Sequence, residues 1–240
     1  MNLLLLELDE LGPDGTAVLT GRRLAHAREV LAVQAGDTLR VGVIGGNIGT
    51  ANVLSTEDAL TLRMVLTEAP PARPGVDLVL AIPRPKALKR IFPVIAQLGV
   101  DRVVLVNAAR VEKSYFDSAA LAPETARRLL LDGLEQARDT TIPEILVRPR
   151  FRPFVEDELD ALFPSPARRL LAHPHAPALA RDAAPGVAPD RSVVAIGPEG
   201  GWVPFEIDLL CANGFTPFSL GPRVLRTETM VPYILGVLAG

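Results

Sequence analysis

Two stretches near the C-terminus decide the reading of this chain: Ile196-Gly197-Pro198-Glu199-Gly200-Gly201-Trp202 and Leu220-Gly221-Pro222-Arg223-Val224-Leu225-Arg226-Thr227-Glu228-Thr229. Each follows a short apolar, β-prone run, residues 192–196 and 215–220, and each precedes a helix-like stretch. In open α/β sheets, ligands bind outside the carboxyl ends of strands, which is where both stretches stand. Gly-rich loops let backbone approach a ligand closely, and their free N–H and C=O groups can read an adenine edge without charged side chains. One such loop ordinarily does no more than shape a turn. Two in tandem point to one composite pocket.

Working outward, the chain from residue 76 onward alternates strand and helix. Residues 76–82 form an apolar run interrupted by Asp77, as expected of a strand buried on both faces, and 100–107 is the next buried strand. Between them Leu88, Ile91, Phe92, Ile95 and Leu98 keep the spacing of one apolar helix face, which Gly99 closes. Residues 123–138 form a second amphipathic helix. Further strands are predicted at 144–147, 169–172, 192–196 and 215–220, and helices at 203–213 and 228–239. Such alternation predicts a mostly parallel sheet covered by helices. Residues 174–190, rich in Ala and Pro, read as a surface loop.

The first seventy residues differ. Short β-prone runs at 3–8, 15–19, 37–44, 49–54 and 60–66 are separated by turn residues, with Gly45-Gly46-Asn47 as a hairpin turn and one helix over 21–33. This is the pattern of a small barrel. The proline-dense stretch at 69–75 marks the boundary between domains 1–70 and 75–240.

Composition narrows the function classes. Apolar residues make up 48% of the 240, enough for a sizeable core. The net charge of −3 argues against indiscriminate coating of nucleic acid, so a nucleic-acid partner needs a local basic patch. The single cysteine, Cys211, excludes an internal disulfide and a cysteine-clustered zinc site. His173-Pro174-His175 has no third ligand in view, so no metal is expected. The apolar opening lacks a basic n-region and reads as a strand rather than a signal peptide, and no apolar run is long enough to span a bilayer. A soluble cytoplasmic protein is expected.

Neither glycine loop fits a known nucleotide fingerprint: there is no G-x-G-x-x-G after the first strand of the α/β half and no G-x-x-x-x-G-K-[ST]. They do resemble the signature loops of the SPOUT methyltransferases that modify N3 of a uridine in bacterial 16S ribosomal RNA (the RsmE family). That family shows a strand ending in I-G-P-E-G-G plus an aromatic or apolar residue, then an acidic helix and an L-G-x-R-[IV]-L-R-x-E-T segment. Lys86-Ala87-Leu88-Lys89-Arg90 with Gln97-Leu98-Gly99-Val100, Glu135-Gln136-Ala137-Arg138 before Ile142-Pro143-Glu144, and residues 26–37 also look like family segments.

The resemblance implies an α/β fold whose C-terminal domain is a trefoil-knotted SPOUT methyltransferase, preceded by a small PUA-like β-barrel that binds RNA. It implies S-adenosyl-L-methionine (SAM) bent within the knot, a homodimer, and 16S ribosomal RNA in the small ribosomal subunit as the partner. Carried onto this chain, the cofactor contacts are Leu171, Ala172, Ile196, Gly197, Glu199, Gly201, Leu220, Gly221, Val224, Leu225 and Thr227. Arg226 offers positive charge to the uracil oxygens or a phosphate. Glu228 either accepts the N3 proton or favours the positive N-terminal end of the last helix. Lys86, Lys89 and Arg90 suit phosphate contact, although a solvated helix face is the ordinary reading of such a run. Arg138 fits the family's arginine after Glu-Gln. Trp202 either stacks on a base or packs against the knot.

The chain departs from the pattern mainly in its first domain, which opens Met1-Asn2-Leu3-Leu4-Leu5-Leu6 instead of with an Arg/Phe-rich segment. Val30-Leu31-Ala32 loses a basic residue, Gln97 replaces a glutamate, and Met230 an alanine. Two rival readings remain: the same chemistry on another RNA, and a non-catalytic RNA-binding or assembly factor.

Overall fold

The computed structural model describes residues 3–29, 32–164, 167–179 and 191–238. The loop expected over 174–190 lies outside them from residue 180 on, and the helix expected over 21–33 does so at 30–31. The chain divides into two compact units, Met1–Ala72 with Leu131–Ile142, and Arg73–Leu130 with Pro143–Gly240.

In the first unit, short apolar or alternating runs make β1 (Leu4–Leu6), β2 (Thr16–Leu19), β3 (Thr38–Val43), β4 (Ile48–Ser55) and β5 (Leu60–Glu68), with α1 (Arg22–Glu29) between β2 and β3. The sheet order is β1-β3-β4-β5-β2, antiparallel except for the β1–β3 pair. Register shifts at Ile48/Gly49 and Val53/Ser55 curl the sheet, because an inserted residue bends its strand and increases the local twist. Leu6, Leu19, Val41, Val53, Leu60 and Leu62 fill the core on one face. The β3–β4 hairpin turns at Gly45, which adopts φ +73°. It holds segment 131–142 by polar contacts. The Gly45 N–H donates to the Thr140 carbonyl at 2.8 Å, and the Thr140 hydroxyl donates to the Gly46 carbonyl at 2.6 Å. The buried Asp139 carboxylate in turn accepts from the N–H groups of Thr140 and Thr141.

The second unit contains β6 (Val76–Ala81), α2 (Pro85–Gln97), β7 (Arg102–Val106), the first half of α3 (Pro123–Ala137), and β8 (Glu144–Arg148). There follow α4 (Phe151–Pro153), a π-helical turn (Phe154–Glu158), α5 (Leu159–Leu162), β9 (Arg168–Ala172), β10 (Ser192–Ile196), α6 (Pro204–Ala212), β11 (Thr216–Phe218) and α7 (Thr227–Leu238). All six strands are parallel, in the order β11-β9-β10-β6-β7-β8. Every residue of β6 and β10 is buried, which explains why both are apolar apart from Asp77 and Ser192. Pro85 opens α2, Leu88, Ile91, Phe92 and Ile95 face inward, and the Val100 N–H closes the helix onto the Ile95 carbonyl at 3.0 Å.

The strand order reverses between β6 and β10. Chain order runs outward through β7 and β8 on one side, while β9, β10 and β11 occupy the other. Such a switch point opens a crevice at the carboxyl edge of the sheet. Among the described residues, no helix is long and apolar enough to cross a membrane.

Candidate functional site

At that edge lies a cavity of about 360 Å³, walled by the segments that follow β9, β10 and β11 and by Arg110 from the loop after β7. The volume lies within the range of small-molecule sites.

The loop after β10 is built by contacts from three directions. Gly201 holds φ +74° and its N–H donates to the Pro198 carbonyl at 2.8 Å, forming a turn that a side chain would strain. Gly197 has no room for a Cβ, which would sit 3.0 Å from the Trp202 indole nitrogen. The Trp202 ring is buried and packs tilted against Phe151, with centroids 5.4 Å apart. Glu199 Oε1 accepts the backbone N–H of Arg84 at 3.0 Å, which ties the loop to the start of α2. The Arg110 guanidinium donates to the Gly200 carbonyl. The buried carboxylate of Glu206 accepts from the N–H of Ala109 at 2.7 Å and of Val203 at 2.9 Å, fastening the start of α6 to the loop after β7.

The opposite wall is pinned to β9's extension. The His173 N–H donates to the Phe218 carbonyl at 2.8 Å. Burial, with His175 beside it, pushes the His173 imidazole below its ordinary pKa, so it is neutral at pH 7. Its Nδ1 accepts the His175 N–H at 3.3 Å, which puts the ring proton on Nε2. Beyond this wall, the Arg226 carbonyl accepts the Met230 N–H at 2.8 Å, so Arg226 opens α7 through its backbone while its side chain stays exposed. Glu228, in the first turn of α7, faces Arg90 of α2 at 3.5 Å.

A family model described as an RNA methyltransferase domain matches residues 71–239. The ribosomal RNA small subunit methyltransferase E of Treponema pallidum is 34% identical over 233 residues, covering 95% of this chain and 87% of that protein. The chain belongs to this methyltransferase family. Among solved structures, a Legionella pneumophila methyltransferase in complex with SAM is 25% identical. It has a TM-score of 0.79 over 99% of this chain and 96% of its own. The Neisseria gonorrhoeae ribosomal RNA small subunit methyltransferase E, 22% identical with a TM-score of 0.77 over 99% and 96%, shares the fold.

Against this family frame, the residues expected at the cofactor divide into two groups. Ala172, Gly197, Glu199 and Gly201 line the cavity on one side and Leu220, Gly221, Val224 and Leu225 on the other. Leu171, Ile196 and Thr227 are buried and do not line it. Arg226 and Glu228 do not line it either and stand at the start of α7. Lys86, Lys89 and Arg90 are exposed along α2, whereas Arg138 belongs to the first unit, where it ends α3 at φ +57°. Sequence reasoning missed Arg110 and Glu206. Arg110 stands in the loop four residues past the buried end of β7, and an acid three residues after Val203 has the spacing of a helix cap. Those were the available signals.

Proposed function

We propose that this chain transfers a methyl group from SAM to N3 of a uridine in 16S ribosomal RNA, as part of small-subunit maturation in the cytoplasm. The observation that carries the reading is the cavity at the strand-order switch, whose two walls are the two glycine loops. The fit to a bent nucleoside is favourable on two counts. Gly197 leaves a space filled only by the edge of an indole, and that indole's buried N–H has no partner among the described residues. The Legionella pneumophila and Neisseria gonorrhoeae proteins, each with SAM bound, share this fold.

Bound SAM supplies an electrophilic methyl on a sulfonium. This chain's residues then have three tasks. The tethers from Arg84, Arg110 and Glu206 hold the loop rigid, so that positioning is paid for by the fold before substrate arrives. Uridine N3 is a poor nucleophile until it loses its proton, and Arg226 stabilises the imide anion that forms. Glu228, oriented by Arg90, takes up the proton or steadies the start of α7. Lys86 and Lys89 contact RNA phosphates, and Arg138 adds a contact from the first unit.

The domains are 1–70, a PUA-like barrel that binds RNA, and 75–240, a trefoil-knotted SPOUT domain. The curled five-stranded sheet supports the first reading. The packing of α7 on α2, directly after the second glycine loop, supports the second. Exposed Tyr233 on α7 and Phe205 on α6 offer apolar surface to a second copy in a homodimer. The test is to delete the gene and map modified uridines in ribosomal RNA by mass spectrometry. Loss of N3-methyluridine from 16S RNA, restored by the wild-type gene but not by Arg226→Ala, is expected. An unchanged modification overturns the assignment.

A further inference from the structure

Trp202 is the chain's one tryptophan, and its indole N–H stands out among the polar groups of the second unit. Among the described residues, four buried side-chain polar atoms lack a hydrogen-bond partner: Asp77 Oδ1, Ser118 Oγ, Arg168 Nε and Trp202 Nε1. Only Trp202 also lines the cavity. The residue is 6% exposed, fixed on one side by the Phe151 ring and on the other by Gly197, whose missing Cβ admits the nitrogen edge. A buried donor without an acceptor is costly, and native structures retain one chiefly where something else completes it. Phe would fill much the same space without that cost.

We propose that the Trp202 N–H donates a hydrogen bond to the adenosine half of the cofactor, a contact made only when the cavity is filled. The inference rests on reading this cavity as the SAM site. Gly197 and Trp202 both line the cavity, and on this reading the indole edge that now lies against Gly197 turns to the ligand when the cavity is filled. The acceptor is a neutral nitrogen or hydroxyl of the nucleoside. Arg110 and Arg223, which also line the cavity, are stronger partners for the cofactor's carboxylate than an indole N–H, which leaves the nucleoside for Trp202. The flat adenine instead matches an apolar wall made by Phe218, Leu220 and Leu225. Trp202 is thus a specificity-determining residue for the donor, separate from any group that acts on the acceptor RNA.

Because the chain holds one tryptophan, growth of a tryptophan auxotroph on benzothienylalanine replaces this side chain alone with a ring of the same shape that has sulfur in place of N–H. Calorimetry with SAM and with 5′-methylthioadenosine, which lacks the methionine tail, then reads the lost bond. Both ligands are expected to bind about tenfold more weakly, the size of one neutral hydrogen bond. Unchanged affinity for both overturns the proposal, and weakening confined to SAM overturns it by placing the acceptor in the tail. If the wild-type protein binds SAM but the replacement changes nothing, only this inference fails. If the wild type gives no heat with SAM, the reading of the cavity fails with it. Fluorescence of the unmodified protein gives a second measurement that needs no variant. Saturating SAM is expected to shift the emission to the red as the indole gains an acceptor, and no shift overturns the proposal.

Discussion

At the amino ends of β6, β7, β8 and β10, charged side chains face one another. Arg191 reaches Asp77 at 2.7 Å and Asp101 at 3.3 Å, Arg73 reaches Asp101 at 3.0 Å, and Arg102 reaches Glu144 at 2.6 Å. At the carboxyl ends of the same sheet, the cavity walls are glycine backbone, an unpartnered indole N–H, and an arginine that holds a carbonyl instead of a carboxylate. One end pairs its charges with one another, although Asp77 Oδ1 has no partner among the described residues, and the other presents backbone and side-chain donors and acceptors to a ligand. A cavity of backbone and apolar side chains with a few charged groups, Glu199, Arg110 and Arg223, suits a charged nucleoside, while further charge for the RNA stands outside it on α2 and at the start of α7. The comparison therefore assigns stability to one edge and chemistry to the other, and each variant below can break that division.

Arg226→Ala should have the largest effect. Removing one group that stabilises developing negative charge costs about 10²- to 10³-fold in kcat. SAM affinity by calorimetry should stay within about twofold, since Arg226 does not line the cavity. A collapse of SAM affinity would mean that charge belongs to the cofactor wall after all. Gly201→Val comes next. At φ +74° a β-branched residue is strained by about 1–3 kcal/mol, so SAM binding should weaken about 10- to 100-fold. If affinity held, the loop's conformation would not be what recognises the donor.

Much of this second unit was legible because its signals are local. The apolar runs of β6 and β10 and the helical spacing of α2 lie within single stretches of sequence. The two glycine loops are local in the same way, and of the eleven positions that the family resemblance assigned to the cofactor, eight line the cavity. What was not legible depends on distant partners. Segment 131–142 joins the first unit through Thr140 and Gly46, 94 positions apart in sequence, a contact no periodicity encodes. Arg110 meets Gly200 across 90 positions for the same reason. The helical stretch from Phe151 to Leu162 escaped notice although its buried Phe151, Phe154, Val155 and Leu159 keep the i, i+3, i+4, i+8 spacing of one apolar face. Pro153, inside the stretch, reads as a breaker and obscured that signal.

A strained terminus gives a smaller, separate test in the first unit. Arg138 occupies the left-handed position after α3 that glycine normally fills, so Arg138→Gly should stabilise the protein by about 1 kcal/mol, read from the urea midpoint. If Arg138 contacts RNA, the same change should weaken RNA binding and lower its salt dependence by about one phosphate contact. Stabilisation without any change in RNA affinity would leave the strain without a function.

The amino-end cluster provides the subtlest test, because its effect lies in the pH dependence. Asp77 is 1% exposed, and burial raises its carboxyl pKa above the ordinary 3.8, with Arg191 pulling in the opposite direction without cancelling the shift. The folded protein thus holds this proton more tightly than the unfolded chain does. Stability from this group is present below pH 3.8 and is lost as pH rises from there through the folded pKa, after which it is flat. Asp77→Asn should remove that downward slope and leave neutral-pH stability unchanged or slightly higher, since an amide needs no counter-charge. Arg191→Ala should extend the slope to higher pH and cost about 1–2 kcal/mol at pH 7, less than for a fully buried pair because Arg191 is half exposed. Urea midpoints between pH 4 and 8 measure both changes. A slope that survives Asp77→Asn would assign it to another carboxylate. A loss of SAM affinity in either variant would show that the two edges of the sheet are coupled instead of independent.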